Sequence, residues 1–209
     1  VDDIMWLLNV RGNDLEYSPL LISFALVSKE QILLFTDEKK IPFKLAMEFD
    51  RSGITILPYN DISTILSRIK KGSTLLITPG TTNVSLYNSI PENVTISKDI
   101  SIPTRLKAIK NEVEIENIRR VMIKDGVALT KFLFWLEKNI HIDNITELSC
   151  AEKLHEFRMQ QSDCTGASFS TISAYNEHGA LAHYNPTEYS DYVLKEGGIY
   201  LIDSGSQYL

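Results

Sequence analysis

The most informative part of this sequence is residues 168–209, SFSTISAYNEHGALAHYNPTEYSDYVLKEGGIYLIDSGSQYL. It places His183 in a compact His-Tyr-Asn-Pro turn and Asp203 at the end of an apolar run, residues 198–202. A carboxylate that ends a buried strand is costly unless hydrogen bonds, a partner or a cation compensate it. Asp203 therefore either binds a cation or caps the turn that Ser204 and Gly205 allow.

Several short motifs share their order and spacing with one known family. The three motifs FSTIS, NEHGALAHYNP and GGIYLIDSGSQYL are preceded by WLLNVRGND at residues 6–14, by KNEVEIENIRR at residues 110–120 and by the pair Thr146-Glu147. Together they resemble aminopeptidase P, the Xaa-Pro aminopeptidase of peptidase family M24, in its long three-domain form. The resemblance covers essentially the whole chain.

The resemblance implies an α/β (α+β) chain with two domains. Residues 1–103 would be the C-terminal part of a non-catalytic, creatinase-N-like α/β domain. Residues 104–209 would be the N-terminal half of a catalytic domain of the pita-bread fold. On this interpretation the chain is a truncated piece of a longer enzyme, and we expect it to be inactive by itself.

The resemblance also implies roles for two residues, Asp203 and His183. Asp203 matches the first metal-binding aspartate of the family. His183 matches the histidine that contacts the substrate and the tetrahedral intermediate rather than the metal. Because proline after the cleaved bond needs its own pocket, Phe169 and Tyr184 are candidate walls of that pocket, although core packing is the favoured role for both. The family favours two Mn²⁺ ions bridged by a hydroxide, and its other metal ligands lie beyond position 209.

The activity that the resemblance implies is hydrolysis of the N-terminal Xaa-Pro bond by a metal-dependent aminopeptidase. Its substrate would be a peptide with proline at the second position, and long-form relatives suggest a homodimer. Three alternatives remain open: an Xaa-Pro dipeptidase (prolidase), a metal-free hydrolase of the creatinase type, and a non-catalytic pita-bread module that binds peptides or proteins.

Composition excludes some partners. The chain has 209 residues, a net charge of −6 and a pI near 5.3, so it lacks the basic face that nucleic-acid binding requires. No apolar run approaches the ~20 residues of a membrane span, so no membrane partner is expected. Cys150 and Cys164 are too few for a disulfide framework and are expected to be free thiols in a reducing compartment. We therefore expect a cytoplasmic protein.

Hydrophobic periodicity predicts the secondary structure. Strands are predicted at residues 4–8, 20–27, 31–35, 54–57, 75–77 and 199–203, with a hairpin formed by residues 168–174 and 180–184. Helices are predicted at residues 42–49, 61–70, 111–139 and 146–161, and residues 93–104 are predicted to be a linker. Asp125 lies within the apolar stripe of the long helix and should have a partner. His141, His155 and His178 are predicted to be surface histidines.

Overall fold

The chain folds into two compact units. The structure, a computed structural model, describes residues 1–142 and 144–209. The first unit comprises Val1–Leu15 and Pro19–Lys110, and the second comprises Glu16–Ser18 and Asn111–Leu209. Each unit combines helices with strands, which confirms the predicted α/β (α+β) class.

The first unit alternates short strands and short helices. Its elements in chain order are α1 (Asp2–Leu8), β1 (Phe24–Val27), β2 (Ile32–Thr36), α2 (Phe43–Arg51), β3 (Ile54–Pro58), α3 (Ile62–Leu66), β4 (Thr74–Ile77), α4 (Val84–Asn88), β5 (Thr95–Lys98) and α5 (Ile102–Ala108). Two 3₁₀ helices, Glu38–Lys40 and Tyr59–Asp61, lie between them. The unit is therefore a small α/β structure, as the sequence predicted.

Two sheets form in the first unit. One has the strand order β1-β2-β3, with β1 antiparallel and β3 parallel to β2; the other is the parallel pair β4-β5. Parallel neighbours require a crossover, which α2 and α4 supply. Strand β2 is buried along almost all of its length, with Leu34 and Phe35 fully enclosed. Such a central strand reads as a continuous apolar run, which is why the sequence identified it correctly.

Two predictions for the first unit were wrong. Residues 4–8 belong to helix α1 rather than a strand, because Asp2 and Asp3 occupy its first turn, where the helix dipole favours negative charge. Five apolar residues are too few to distinguish the two periods. The predicted linker at residues 93–104 contains β5 and the start of α5, which Ser101 caps.

The second unit is built on two capped helices, followed by four short strands. Its elements are α6 (Glu112–Asn139), α7 (Glu147–Met159), β6 (Cys164–Ala167), β7 (Ile172–Tyr175), β8 (Tyr200–Asp203) and β9 (Ser206–Tyr208), with a 3₁₀ helix at Asn176–Ala180. Asn111 and Glu114 form a capping box on α6, and Thr146 and Ser149 form one on α7. Both predicted helices are confirmed. The sequence identified their starts because capping residues, which satisfy the first backbone N–H groups of a helix, can be recognised in it.

The strands of the second unit pair in an order that differs from the prediction. β7 is antiparallel to β8, and β6 is antiparallel to β9. The predicted hairpin between residues 168–174 and 180–184 is therefore wrong. Residues 181–184 are not a strand, because Tyr184 turns into the core and bonds the first residue of α7.

The core of the second unit lies between the helices and β7. Phe132 of α6, Cys150 and Leu154 of α7, and Tyr175 of β7 belong to one buried cluster. Among the described residues, none of the helices combines the length and the apolarity needed to cross a membrane.

Candidate active site

Asp203 is placed by the pairing of β8 with β7. It lies opposite Ile172, and the chain then turns so that the carbonyl of Gly205 accepts a hydrogen bond from the Ser168 N–H at 3.0 Å. A Cβ placed on Gly205 would lie 3.1 Å from Cε1 of Phe169 and would collide with the Ser168 hydroxyl. The ring of Phe169 thus lies against the turn that follows Asp203, where a residue larger than glycine would require the Ser168 and Phe169 side chains to move.

The surroundings of Asp203 differ from the expectation. Its side chain is exposed, so the expectation of a carboxylate at the close of a buried strand was wrong. The alternation along β8 explains this, because Tyr200 and Ile202 face the protein while Leu201 and Asp203 face outward. In the part of the chain that the structure describes, the carboxylate accepts no hydrogen bond and forms no ion pair, so the turn-capping alternative is not observed.

His183 lies in an exposed turn next to the same segment. The Ser170 hydroxyl donates to the side-chain oxygen of Asn185 at 2.8 Å, which ties the turn to residues 168–172. His183 itself is exposed and has φ of 55°, in the left-handed region that non-glycine residues seldom occupy. Residues 168–172 therefore connect three candidate residues: Phe169 is part of this segment, Asp203 pairs with it, and the turn of His183 is hydrogen-bonded to it.

Tyr184 is the fourth candidate, and it is a core residue. It is 9% exposed, and its hydroxyl donates to the Glu147 carboxylate at 2.8 Å. Burial, together with the nearby Glu147 carboxylate, raises the pKa of the Tyr184 phenol. Of the two roles considered for Tyr184, the structure shows packing in the core.

Sequence reasoning missed a buried acidic cluster beneath His183. Glu147, the first residue of α7, is fully buried, and its carboxylate accepts from His178 Nδ1 at 2.9 Å. The His178 ring stacks between Tyr184 and Tyr192, with ring centroids 4.4 and 3.9 Å away. The prediction of a surface position for His178 was wrong, because this turn folds inward onto α7. His141 and His155 are exposed, as predicted.

A second ionic contact anchors the turn after Asp203 from below. Nε and Nη2 of the buried Arg158 donate to the two carboxylate oxygens of Asp125, each at 2.9 Å. The Tyr208 hydroxyl donates to the same carboxylate at 3.1 Å, which ties β9 to the helices. Burial, followed by the negative charge of Asp125, raises the pKa of Tyr208. The partner expected for Asp125 is thus Arg158.

The two thiols, Cys150 and Cys164, are free, as predicted. Cys150 is fully buried, and burial raises its pKa to about 12, so the unreactive thiol form dominates at neutral pH. Within residues 1–142 and 144–209, no three acidic, histidine or cysteine side chains are grouped as a metal site would require. Asp203 is thus a single candidate side chain whose carboxylate oxygens suit hard divalent cations.

Comparison with protein families gives two matches that together cover almost the whole chain. Residues 1–114 match the creatinase/prolidase N-terminal domain, and residues 116–209 match metallopeptidase family M24. The chain belongs to the creatinase/prolidase N-terminal domain family, and its second part is similar to metallopeptidase family M24. The resemblance noted from the motifs is thereby confirmed, together with its creatinase-N and pita-bread components.

Several curated relatives of this chain are named Xaa-Pro aminopeptidases. The chain is 40% identical over its whole length to Xaa-Pro aminopeptidase 1 of Dictyostelium discoideum, and 37% identical to Xaa-Pro aminopeptidase ApepP of Drosophila melanogaster. It spans only 34% and 35% of those relatives, or about a third of their length.

A solved structure supports the same fold. X-prolyl aminopeptidase from Caenorhabditis elegans, described as a cytosolic enzyme with a di-nuclear active site, superposes with a TM-score of 0.92 at 34% identity. The match covers 99% of this chain and 35% of the C. elegans chain.

Proposed function

We propose that this chain is a portion of a metal-dependent aminopeptidase that hydrolyses the N-terminal Xaa-Pro bond of peptides. The observation that carries the proposal is the exposed Asp203 carboxylate at the end of β8, which has no partner among the described residues, with Phe169 and the His183 turn beside residues 168–172. Because the chain spans about a third of its curated relatives, the activity is proposed for a longer protein that contains it.

Asp203 would be this chain's ligand to a pair of divalent ions, for which we propose Mn²⁺. Its exposed carboxylate is not consumed by any protein donor among the described residues, and carboxylate oxygens suit hard or borderline divalent ions. When bound, such a pair supplies a hydroxide nucleophile near neutral pH and polarises the scissile carbonyl.

His183 would act on the substrate rather than on the metal. From its exposed turn, its imidazole would donate a hydrogen bond to the carbonyl oxygen as negative charge develops there, or deliver a proton to the leaving nitrogen. That nitrogen belongs to proline, which has no N–H and has a fixed φ, so the site must recognise a ring. Phe169, 37% exposed, offers an aromatic face for that ring.

The environment of the complete protein is proposed from its relatives. The C. elegans relative is described as cytosolic, and we propose a cytoplasmic location here as well. We also propose a homodimer, with a peptide that has proline at its second position as the substrate.

The test requires a protein that continues this chain through the rest of the catalytic domain, called here the extended protein. We expect two divalent ions per chain by elemental analysis and cleavage of a tripeptide of the form Xaa-Pro-Xaa. Asp203→Ala should remove metal and reduce cleavage by more than ~100-fold, because a ligand is lost. Asp50→Ala is the matched control, since Asp50 is an exposed aspartate in α2 with no side-chain partner among the described residues.

Other outcomes would support other functions. Cleavage of Xaa-Pro dipeptides without cleavage of longer peptides would indicate an Xaa-Pro dipeptidase. An extended protein that binds no stoichiometric metal and still hydrolyses a substrate would indicate chemistry of the creatinase type. Peptide binding without hydrolysis or metal would indicate a non-catalytic module and contradict the proposal.

A further inference from the structure

The carboxylate of Glu147 is the convergence point of four hydrogen-bond donors. Oε1 accepts from the Tyr175 N–H at 2.6 Å and from His178 Nδ1 at 2.9 Å. Oε2 accepts from the Tyr184 hydroxyl at 2.8 Å and the Tyr192 N–H at 3.1 Å, and it also lies 3.1 Å from His178 Nδ1. Because an ionised carboxylate only accepts, His178 Nδ1 must carry a hydrogen. Glu147 is fully buried, so these donors satisfy its charge without solvent.

Two of the four donors bracket the turn that carries His183. His178 lies five residues before it, and Tyr184 follows it directly. The left-handed backbone of His183, with φ of 55°, persists only where its flanks are fixed. The Glu147 carboxylate fixes both flanks from below, while the His183 ring remains exposed above.

We propose that Glu147 is a positioning residue that acts through His183. It touches neither the substrate nor the metal and determines where the imidazole of His183 points. This inference rests on the proposed function, in which His183 contacts the reacting carbonyl or the leaving nitrogen.

The chemistry of the site requires a carboxylate. A glutamine at position 147 would keep the size and shape of the side chain but offer one acceptor oxygen in place of two. Its NH₂ group would face two donors, either the Tyr175 N–H and His178 or the Tyr184 hydroxyl and the Tyr192 N–H. Glu147→Gln therefore places its NH₂ group against one flank of His183, either His178 or Tyr184, and against one backbone N–H.

The decisive experiment is a double-mutant cycle in the extended protein with an Xaa-Pro-Xaa peptide. We expect Glu147→Gln to lower kcat by ~10–100-fold while KM and metal content stay close to wild type, because misplacing a catalytic group by ~1 Å has this effect. In Glu147→Gln combined with His183→Ala, kcat should equal that of His183→Ala alone, because Glu147 acts through His183.

A milder pair of variants keeps the proposal testable if Glu147→Gln does not fold. Tyr184→Phe removes one hydroxyl donor to Glu147 and keeps the ring, so a smaller loss in kcat of ~3–10-fold is expected, again absent in the His183→Ala background. Tyr175→Phe is the matched control, because its hydroxyl donates instead to the Lys195 carbonyl at 3.0 Å. It should leave kcat unchanged.

Hydrogen exchange separates this inference from the proposed function. In Glu147→Gln and in Tyr184→Phe, amides of residues 176–185 should exchange faster while those of α6 remain protected, whether or not the protein is a peptidase. Two results would overturn the positioning role of Glu147. One is a loss of kcat in Glu147→Gln or Tyr184→Phe that multiplies with the loss caused by His183→Ala; the other is unchanged amide exchange of residues 176–185 in these two variants. A wild-type protein that cleaves no Xaa-Pro peptide but shows the exchange pattern would overturn the proposed function and retain the anchoring of the turn.

Discussion

The second unit holds two pairs of acidic and histidine residues with opposite environments. Glu147 and His178 are bonded to each other in the core, and all the acceptor capacity of the carboxylate faces protein donors. Asp203 and His183 are exposed, and among the described residues neither forms a side-chain hydrogen bond or ion pair. The comparison shows that a satisfied carboxylate maintains structure, whereas an unsatisfied one keeps its oxygens available for a ligand.

The largest expected difference in stability is that between removing the Glu147 carboxylate and removing the Asp203 carboxylate. Glu147→Ala leaves four buried donors without an acceptor and should lower the local free energy of unfolding by about 3 kcal/mol or more. In the metal-free protein, Asp203→Ala breaks no contact in the described structure and should change this free energy by less than about 0.5 kcal/mol. Hydrogen exchange of amides in α7 and β7 of the extended protein measures both values. Equal losses of unfolding free energy in Glu147→Ala and Asp203→Ala would contradict the distinction between a structural and an available carboxylate.

Replacing the two histidines should also change the free energy of unfolding unequally, with a larger loss for the buried one. The difference should be smaller than that between the two carboxylates. His178→Ala removes a ring stacked between two tyrosines and bonded to Glu147, and should lower the free energy of unfolding by about 2 kcal/mol. His183→Ala should change it by less than about 0.5 kcal/mol while lowering kcat by ~10²-fold or more. Thermal unfolding and peptide cleavage, measured on the same samples, test the pair. A strongly destabilised His183→Ala variant would contradict the assignment.

The backbone of His183 offers a third, finer test. A glycine at this position adopts φ of 55° without strain, so His183→Gly should be more stable than His183→Ala by about 0.5–1 kcal/mol. Neither variant should recover activity, because both lack the imidazole. If alanine proved as stable as glycine, the turn would not hold this residue in the left-handed region.

Asp3 in the first unit is a carboxylate between these extremes. Partial burial raises its pKa, but hydrogen bonds from Lys107, Ser101 and Thr104 outweigh this and lower the pKa to about 2. The unfolded chain therefore takes up a proton at higher pH than the folded chain, and the stability that Asp3 contributes is lost as the pH falls from about 4 to about 2.

Asp3→Asn should remove that part of the acid dependence. Because Asp3 is partly exposed, its contribution should be below about 1 kcal/mol, the smallest of these effects. The measurement compares unfolding midpoints of the wild type and Asp3→Asn at pH 2, 3, 4 and 6. Parallel curves for the two proteins would show that the contacts of Asp3 contribute no stability.

Local signals in the sequence predicted much of this structure. Asn111 and Thr146 mark the starts of α6 and α7 because a capping side chain bonds backbone groups a few residues away. β2 was recognised because burial on both faces leaves an apolar run. The motifs also identified Asp203 and His183 as candidate residues, a prediction that awaits a metal-bound structure or the variants above.

Non-local contacts could not be predicted in this way. Whether residues 181–184 pair with β7 depends on Tyr184 reaching Glu147, a contact across 37 positions. The same contact brings His178 inside, although its Asn-Glu-His-Gly setting is typical of an exposed turn. For Asp203, the sequence showed an apolar run but not which face of β8 is covered, and the strand alternation decided the exposure.

The strand pairing of the second unit has a consequence for the order of folding. The hydrogen bonds within α6 and α7 and their capping boxes join residues a few positions apart. By contrast, β7 must find β8 beyond a loop of 24 intervening residues, Tyr175 and Tyr200 being opposite each other. β6 and β9 close over an even longer stretch. Contacts between distant residues form slowly because the loop entropy is lost before the pairing is gained. We therefore expect the helical hairpin to form early, and Asp203 to reach its place in one of the last steps, after the residues that support it have assembled.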